Sequence, residues 1–276
     1  MTEDSVGTLH AAFPDRFVTE APDDRNAFAL QASAWKFDFE RLTKAEILKV
    51  VEEDNRPRYC AAAFPNLKNF EIIELGPSDG YHTLGLSLVG AQNVLAIEAN
   101  VRAFVRCLIL KNAFSLKAKF LLGDFLKYLR LPGLSADMVY ASGVLYHLFD
   151  PVDFLIRCAQ VAPNLFLWTH YYDISRCNDF ERACFANDVN EVKVAGGLQF
   201  IYHRRDLSPS IVGDPKYQAG VGNYGNWLSR DDLFRALELA GYSVISAVDD
   251  YLDNGLCAVA LTATVPRVKA GDSVNR

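Results

Sequence analysis

Between residues 71 and 169 the chain alternates between two patterns. Short apolar runs, Glu71–Leu75, Asn93–Glu98, Lys119–Leu122, Asp137–Ala141 and Asn164–Thr169, have the length and continuity of buried strands. The segments between them repeat apolar residues three and four apart; Val101, Phe104, Val105, Leu108 and Ile109 form one such stripe. Another helix is signalled at Asp150-Pro151, where the carboxylate can cap and the proline suits the first helical position. Strands without a polar face, separated by helices, make a parallel sheet covered on both sides. Near the end, Ser229 opens a helix with Leu233, Ala236, Leu237 and Ala240 on one face and Gly241 as its stop. Two further runs, Tyr242–Val248 and Leu256–Ala263, are joined by a short polar turn, which permits only antiparallel pairing. The pattern predicts an α/β fold: a doubly wound, mostly parallel seven-stranded sheet with an antiparallel last strand.

The flanking segments read differently. Thr43 and Glu46 form a capping box ahead of Ile47, Val50 and Val51, so a helix precedes the first strand. Residues 1–30 hold six acids against Arg16 and Arg25 and read as an irregular arm, folded from about Phe13 or Phe17. Residues 172–226 show little periodicity over a length unusual for a loop, which predicts a lid or binding excursion. The chain thus divides into an N-terminal arm with helices (1–67), a main domain (68–265) carrying the 172–226 insertion, and a flexible tail (266–276). A composition of 50% hydrophobic residues over 276 positions fills such a core. The net charge of −6 offers no bulk attraction to nucleic acid or anionic membrane. No run approaches the ~18 apolar residues of a membrane helix, and the acidic start has no secretion-signal pattern. Six cysteines without a C-x-x-C pair read as reduced core thiols. These features predict a cytoplasmic protein.

Candidate chemistry collects where the strands end. The first strand runs into Gly76-Pro77-Ser78-Asp79-Gly80 before Tyr81-His82-Thr83 opens a helix, and glycines there let backbone approach a ligand. Glu98 ends the second strand, where a carboxylate can accept from a ribose diol. Asp124 in Gly123-Asp124-Phe125 follows the third strand, able to accept from an exocyclic adenine amine beside the Phe125 ring. Taken singly, Glu98 and Asp124 read equally well as helix caps; all three elements in order point to a nucleoside site. Ser78 and Tyr81 replace the small residues of a G-x-G-x-x-G turn, so the loop suits a nucleoside without phosphates.

These residues resemble the class I S-adenosylmethionine-dependent methyltransferases over roughly residues 68–263. Glu74-Leu-Gly-Pro-Ser-Asp-Gly80 is similar to that family's first motif, Glu98 to its ribose acid and Gly123-Asp-Phe125 to its adenine motif. The resemblance implies S-adenosyl-L-methionine as cofactor, held by Glu74, Gly76, Ser78, Gly80, Glu98, Ala99, Asn100, Asp124, Phe125 and Ser142. Trp35-Lys36-Phe37-Asp38, Gly80-Tyr81-His82 and Gly143-Val-Leu-Tyr-His147 with Pro151 resemble, more narrowly, the family of the tRNA wobble-uridine carboxymethyltransferase, which uses a carboxylated cofactor. That likeness implies cofactor contacts from Lys36 and Tyr146. The narrower family's upstream K-G-P-F stretch is missing, Cys257 stands where its last strand carries arginine, and Leu148 replaces the arginine after G-V-L-Y-H. A carboxylate buried without its cation is disfavoured, so the expectation is plain S-adenosylmethionine and an acceptor other than tRNA.

Methyl transfer needs an aligned acceptor and, for a hydroxyl or ammonium, a proton acceptor. His147, after the fourth strand, and His170, after the fifth, are the candidate bases beside Tyr146, although each reads more readily as a structural histidine. Tyr171, Tyr172 and Tyr202 could line the pocket or fill core. His147, His170, Asp173 and His203 lack metal-ligand spacing, so no metal is expected. Arg204-Arg205 could meet an anionic substrate or form a solvated charge pair. The function read from the chain is methyl transfer to an O, N or C atom of a small molecule. A carboxymethyl transfer to tRNA, supported by a basic patch of Arg102, Arg106, Lys111, Lys117 and Lys119, and a non-catalytic cofactor-binding domain are the alternatives. No membrane partner is expected, and homo-oligomerisation stays open.

Overall fold

The structure, a computed structural model, describes residues 23–29, 34–35, 39–185, 190–207, 220, 222–252 and 255–266. The acidic arm before residue 23, Lys36 and the tail from residue 267 lie outside the described residues. A seven-stranded sheet carries the fold in the order β3-β2-β1-β4-β5-β10-β9. Its strands are β1 (Glu71–Leu75), β2 (Asn93–Glu98), β3 (Lys119–Leu122), β4 (Met138–Ser142), β5 (Asn164–Tyr171), β9 (Ser243–Tyr251) and β10 (Cys257–Thr264). The first five are parallel, and β10 runs antiparallel to both β5 and β9. The fourth strand begins and ends one residue later than expected, and the fifth extends to Tyr171 because β10 pairs along its whole length.

Helices link the strands: α1 (Asp24–Ala29), α2 (Lys44–Glu53), α3 (Asn55–Ala63), α4 (Tyr81–Leu88), α5 (Val101–Phe114), α6 (Phe125–Tyr128), α7 (Pro151–Val161), α8 (Asp179–Cys184) and α9 (Arg230–Leu239). The caps expected at Thr43, Asp150 and Ser229 are present, each accepting from a backbone N–H of its first turn. The two sheet faces bury different clusters. Ile73, Leu75, Val139, Leu165 and Val259 pack with Val152, Leu155 and Cys158 of α7 and Leu233 and Leu237 of α9. Ile72, Val94, Met138, Tyr140 and Phe166 pack with Cys60 of α3, Leu86 of α4 and Cys107 of α5. Alternate residues of each strand thus serve opposite apolar layers, which is why the strands read as continuous runs.

One expectation fails. The α5 stripe of Val101, Phe104, Val105, Leu108 and Ile109 is not the buried face: Val101 and Leu108 are 49% and 41% exposed. Ala103, Arg106, Cys107, Leu110 and Ala113 are buried instead. Arg106 disguised that face, because its charge is neutralised by buried Asp79 at 2.6 Å. It also leaves the basic patch without one of its five members. The excursion after residue 172 holds regular structure that its sequence did not signal. It holds α8 and an antiparallel sheet of β6 (Glu191–Ala195), β7 (Leu198–Asp206) and β8 (Tyr224–Trp227). Phe200 and Tyr202 face inward while Gln199 and Ile201 face out, a period-2 signal that mixed polarity concealed. This small sheet is strapped over the 3-10 turn Leu145–His147: Asn226 donates its backbone N–H to Leu148 O (2.9 Å) and its amide to Phe149 O (2.7 Å). Gly225 is required there, since a Cβ would stand 2.1 Å from Tyr146 O.

Candidate functional site

A cleft of about 1520 Å³ runs along the carboxyl ends of β3, β2, β1, β4 and β5. Its floor at one end is the β1–α4 loop, wound through left-handed backbone at Gly76 (φ 63°), Ser78 (φ 58°) and Gly80 (φ 80°). Buried Asp79, paired with Arg106, ties this loop to α5. Glu98 locks the other side. One carboxylate oxygen accepts from Ser78 N–H (2.9 Å) and the other from Asn100 N–H (2.8 Å). Burial raises the Glu98 pKa, and the backbone donors oppose that shift. Each oxygen keeps lone-pair capacity toward the cleft, which suits two vicinal hydroxyls. Asp124 caps α6 through one oxygen (2.8 Å from Leu126 N–H) and lines the cleft beside Phe125. Capping and ligand binding are therefore compatible roles for it. Gly76, Ser78, Ala99, Asn100, Ser142 and Tyr146 also line the cleft.

Two expected cofactor residues stand off the wall. Glu74 is 1% exposed beneath the loop, where it accepts from Thr83 Oγ1 at 2.6 Å. Burial, reinforced by neighbouring Glu98, pushes its pKa up to about 8. Gly80 faces α5: an added Cβ would meet Cys107 Cα and the Leu110 side chain at 3.4 Å. Its left-handed backbone makes the turn, and a side chain there would point at α5 rather than into the cleft. Trp35 is likewise interior, packed on Phe28 and Phe39 with its indole N–H donated to Phe28 O at 2.9 Å.

The middle of the cleft contains a group that the linear reading missed. Arg56, in the first turn of α3, meets the Asp54 carboxylate through Nε (2.9 and 3.1 Å) and through Nη2. Nη2 also reaches Tyr81 Oη, and Nη1 donates to Ser142 Oγ at 3.2 Å. The guanidinium lies 4.9 Å from the Trp168 ring centroid. Asp54 accepts further bonds from Tyr81 Oη (2.9 Å) and His82 Nε2 (3.2 Å). Burial works to raise the Asp54 pKa, but His82 and Arg56 outweigh it and hold the carboxyl well below the usual carboxylate range. Asp54 ahead of Asn55-Arg56-Pro57 is a cap signal that marks the start of α3. The charged and small residues of α3 hid the rest.

The far end is aromatic and acidic. Tyr146, His147, Phe149, Trp168 and Tyr59 line it, with Asp249 and Asp250 of β9 and Arg205 of β7. Burial pushes the His147 pKa down to about 3, helped by His170 and Arg205, so its ring is neutral. His170 is absent from the cleft wall: it stacks on Trp227 (5.2 Å, 4°), meets Tyr146 edge-on (4.6 Å) and donates Nδ1–H to Cys257 O at 3.1 Å. Its pKa falls to about 4 through burial. Tyr146, with its hydroxyl pushed up to about 12 by burial, is a neutral wall group. Tyr171, Tyr172 and Tyr202 do not line the cleft: Tyr172 stacks on His203 (3.6 Å, 5°) and Tyr202 Oη donates to Asp150 at 2.7 Å. Arg204 pairs with Asp206, whereas Arg205 pairs with Glu181 inside. Cys257 also stays off the cleft wall, to which β10 contributes Ala260. Among the described residues no cluster of His, Cys, Asp or Glu could hold a metal ion, and no helix is long and apolar enough to cross a membrane.

A family model described as a methyltransferase domain matches residues 73–164, which run from β1 to the start of β5. Residues 73–164 thus carry a methyltransferase domain, and the fold around them is that of the class I S-adenosylmethionine-dependent methyltransferases. A curated relative, the tRNA U34 carboxymethyltransferase of Campylobacter hominis, is 28% identical over 91 residues, 32% of this chain and 31% of that protein. The match thus spans about a third of that relative. Among solved structures, the N-terminal domain of EvdMO1 in the presence of SAH and D-fucose superposes with a TM-score of 0.61 at 22% identity, covering 88% of this chain and 95% of that one. An S-adenosylmethionine-dependent methyltransferase from Mesorhizobium loti gives 0.53 at 15% identity over 78% and 99%. At these identities the likeness is one of fold. The cofactor of the methyltransferase domain, S-adenosylmethionine, fits the residues present. The open lone pairs of Glu98, the free Asp124 oxygen and the flat Phe125 ring follow one another along the sheet edge in the order ribose and adenine require.

Proposed function

We propose that this domain transfers a methyl group from S-adenosylmethionine to a hydroxyl of a small polyhydroxylated acceptor, with residues 68–265 as the catalytic unit. The observation that carries the reading is the composition of the cleft beyond Ser142. Aromatic side chains (Trp168, Tyr146, Phe149, Tyr59) share that wall with the carboxylate of Asp250 and with that of Asp249, which is paired with Arg230. Apolar ring faces stack on the C–H face of a sugar-like ring, and carboxylates accept from its hydroxyls. The EvdMO1 domain, a fold relative whose crystal structure was determined in the presence of SAH and D-fucose, agrees with this chemistry.

Bound S-adenosylmethionine supplies an activated methyl on a positively charged sulfur. Glu98, Asp124 and Phe125 hold the adenosine end, and the aromatic walls exclude water and orient the acceptor oxygen. We assign His147 the proton. It lines the cleft and makes no side-chain hydrogen bond among the described residues. A hydroxyl becomes strongly acidic as its oxygen takes on a methyl group, so a weak but neutral base suffices. His170 and Tyr146 position this group: the bond to Cys257 O fixes the His170 ring, which supports Tyr146 from behind.

A tRNA acceptor fits less well. Glu53 and Asp250 line the cleft with no ion pair among the described residues and oppose a polyanion, while Asp54 and Asp249 are already paired with Arg56 and Arg230, and Arg106 is interior. The test is methyl transfer from labelled cofactor to a panel of free sugars, nucleotide sugars and bulk tRNA, read by mass spectrometry. Methylated sugar with unmodified tRNA is expected. Modified tRNA with untouched sugars overturns the reading.

A further inference from the structure

We propose that Arg56 is the anchor for the carboxylate at the amino-acid end of the cofactor, making it the residue that selects a ligand carrying that group. The inference rests on the cofactor reading above and deepens it. Asp124 at β3 and Glu98 at β2 place the adenosine at one end of the sheet edge. A ligand extended along that edge must carry its other end across β1 toward β4. Arg56 bridges that boundary, touching Tyr81 just after β1 and Ser142 at the last position of β4.

The donor count leaves one hand open. A guanidinium has five N–H groups. Nε–H and one Nη2–H meet Asp54, the second Nη2–H meets Tyr81 Oη, and one Nη1–H meets Ser142 Oγ. The last Nη1–H has no partner among the described residues, and a fifth of the side chain (20%) is exposed on the cleft wall. One charge-assisted donor aimed into a cleft fits a carboxylate oxygen. The Asp54 partner matters as much. It cancels the net charge of the guanidinium, so the donor can stand near a sulfonium without strong repulsion. Asp54 is itself held by Tyr81 and His82, and the guanidinium lies over Trp168. The donor is therefore built before ligand arrives, which reduces the ordering cost of binding.

Calorimetric titration with S-adenosylmethionine and with decarboxylated S-adenosylmethionine, which differ by the carboxylate alone, tests the assignment. The wild-type protein should bind the carboxylated ligand at least tenfold more tightly. Arg56→Gln should lose that tenfold on S-adenosylmethionine while binding the decarboxylated ligand within about threefold of wild type, and Arg56→Lys should fall between. Equal affinity of the wild type for both ligands overturns the proposal without any variant, even if Arg56→Gln fails to fold in a thermal melt. Equal losses on both ligands would make Arg56 a structural clamp. Unchanged cofactor affinity with weakened acceptor binding would assign the donor to the acceptor. Both overturn the proposal. If neither ligand binds the wild type, the cofactor reading itself fails, a result separable from all of these.

Discussion

The two ends of the cleft are built by different means. At the adenosine end every working group lies within a few residues of a strand terminus; Glu98 to Asn100 and Asp124 to Leu126 are local contacts, and Ser78 to Glu98 joins the ends of adjacent strands. At the acceptor end the wall is assembled from distant pieces. Tyr59 comes from α3, Tyr146 and His147 from the turn after β4, Trp168 from β5, Arg205 from the insertion and Asp249 from β9. A site made from strand ends is set by the sheet alone. One made from five elements depends on how they pack, and can change ligand when any of them changes.

That contrast predicts where damage should spread. The largest effect is expected from Arg106→Met, which leaves Asp79 buried without its partner. Breaking a buried pair from one side costs about 3–5 kcal/mol. Chemical denaturation should show that loss, and the cofactor loop should fail with it. A variant of near wild-type stability would mean the loop is held by something else.

His147→Gln probes the other end. Removing a proton acceptor typically costs on the order of a hundredfold or more in kcat, whereas affinity for S-adenosylhomocysteine should stay within about twofold. The pH profile sharpens this. A base is active when deprotonated, and the folded pKa of about 3 lies far below the ordinary 6.5. The wild-type rate should therefore stay flat as pH falls through 6.5 and drop only near the acid limit. An inflection near 6.5 would assign the proton to another group.

How much of this could be read beforehand follows the same division. The strands, the caps at Thr43, Asp150 and Ser229, and the order Gly76, Glu98, Asp124 were legible because each is a local pattern. Arg56 was not, since its value lies in contacts with Tyr81 and Ser142, 25 and 86 positions away. Arg106 looked like surface charge because the compensating Asp79 is 27 positions distant. The 172–226 sheet escaped because Gly, Asn and charged residues interrupt strands that tertiary pairing nonetheless stabilises. His170 was expected after the fifth strand, but β5 runs on to Tyr171 and takes it in, and packing puts it behind Tyr146, off the cleft wall.

A smaller effect should come from Glu74→Gln. The folded carboxyl titrates at about 8 against an ordinary 4.5. The fold therefore favours its protonated form, and stability falls as pH rises from about 4.5 to 8. A neutral amide removes that loss. The variant should be more stable than wild type at pH 8 by about 1–3 kcal/mol and little changed at pH 4.5. Thermal melts at the two pH values read the difference; a variant equally destabilised at both would contradict a neutral Glu74.

The central claim is that the strand-end half of the cleft holds the adenosine of the cofactor. Its most direct measurement is calorimetric titration of S-adenosylhomocysteine into wild type and Glu98→Ala, with both folds checked by circular dichroism. One site per chain is predicted for wild type, and a roughly tenfold or greater loss of affinity for Glu98→Ala, the usual cost of removing a buried acceptor of about 1–3 kcal/mol. Unchanged affinity in a folded Glu98→Ala variant would contradict the account.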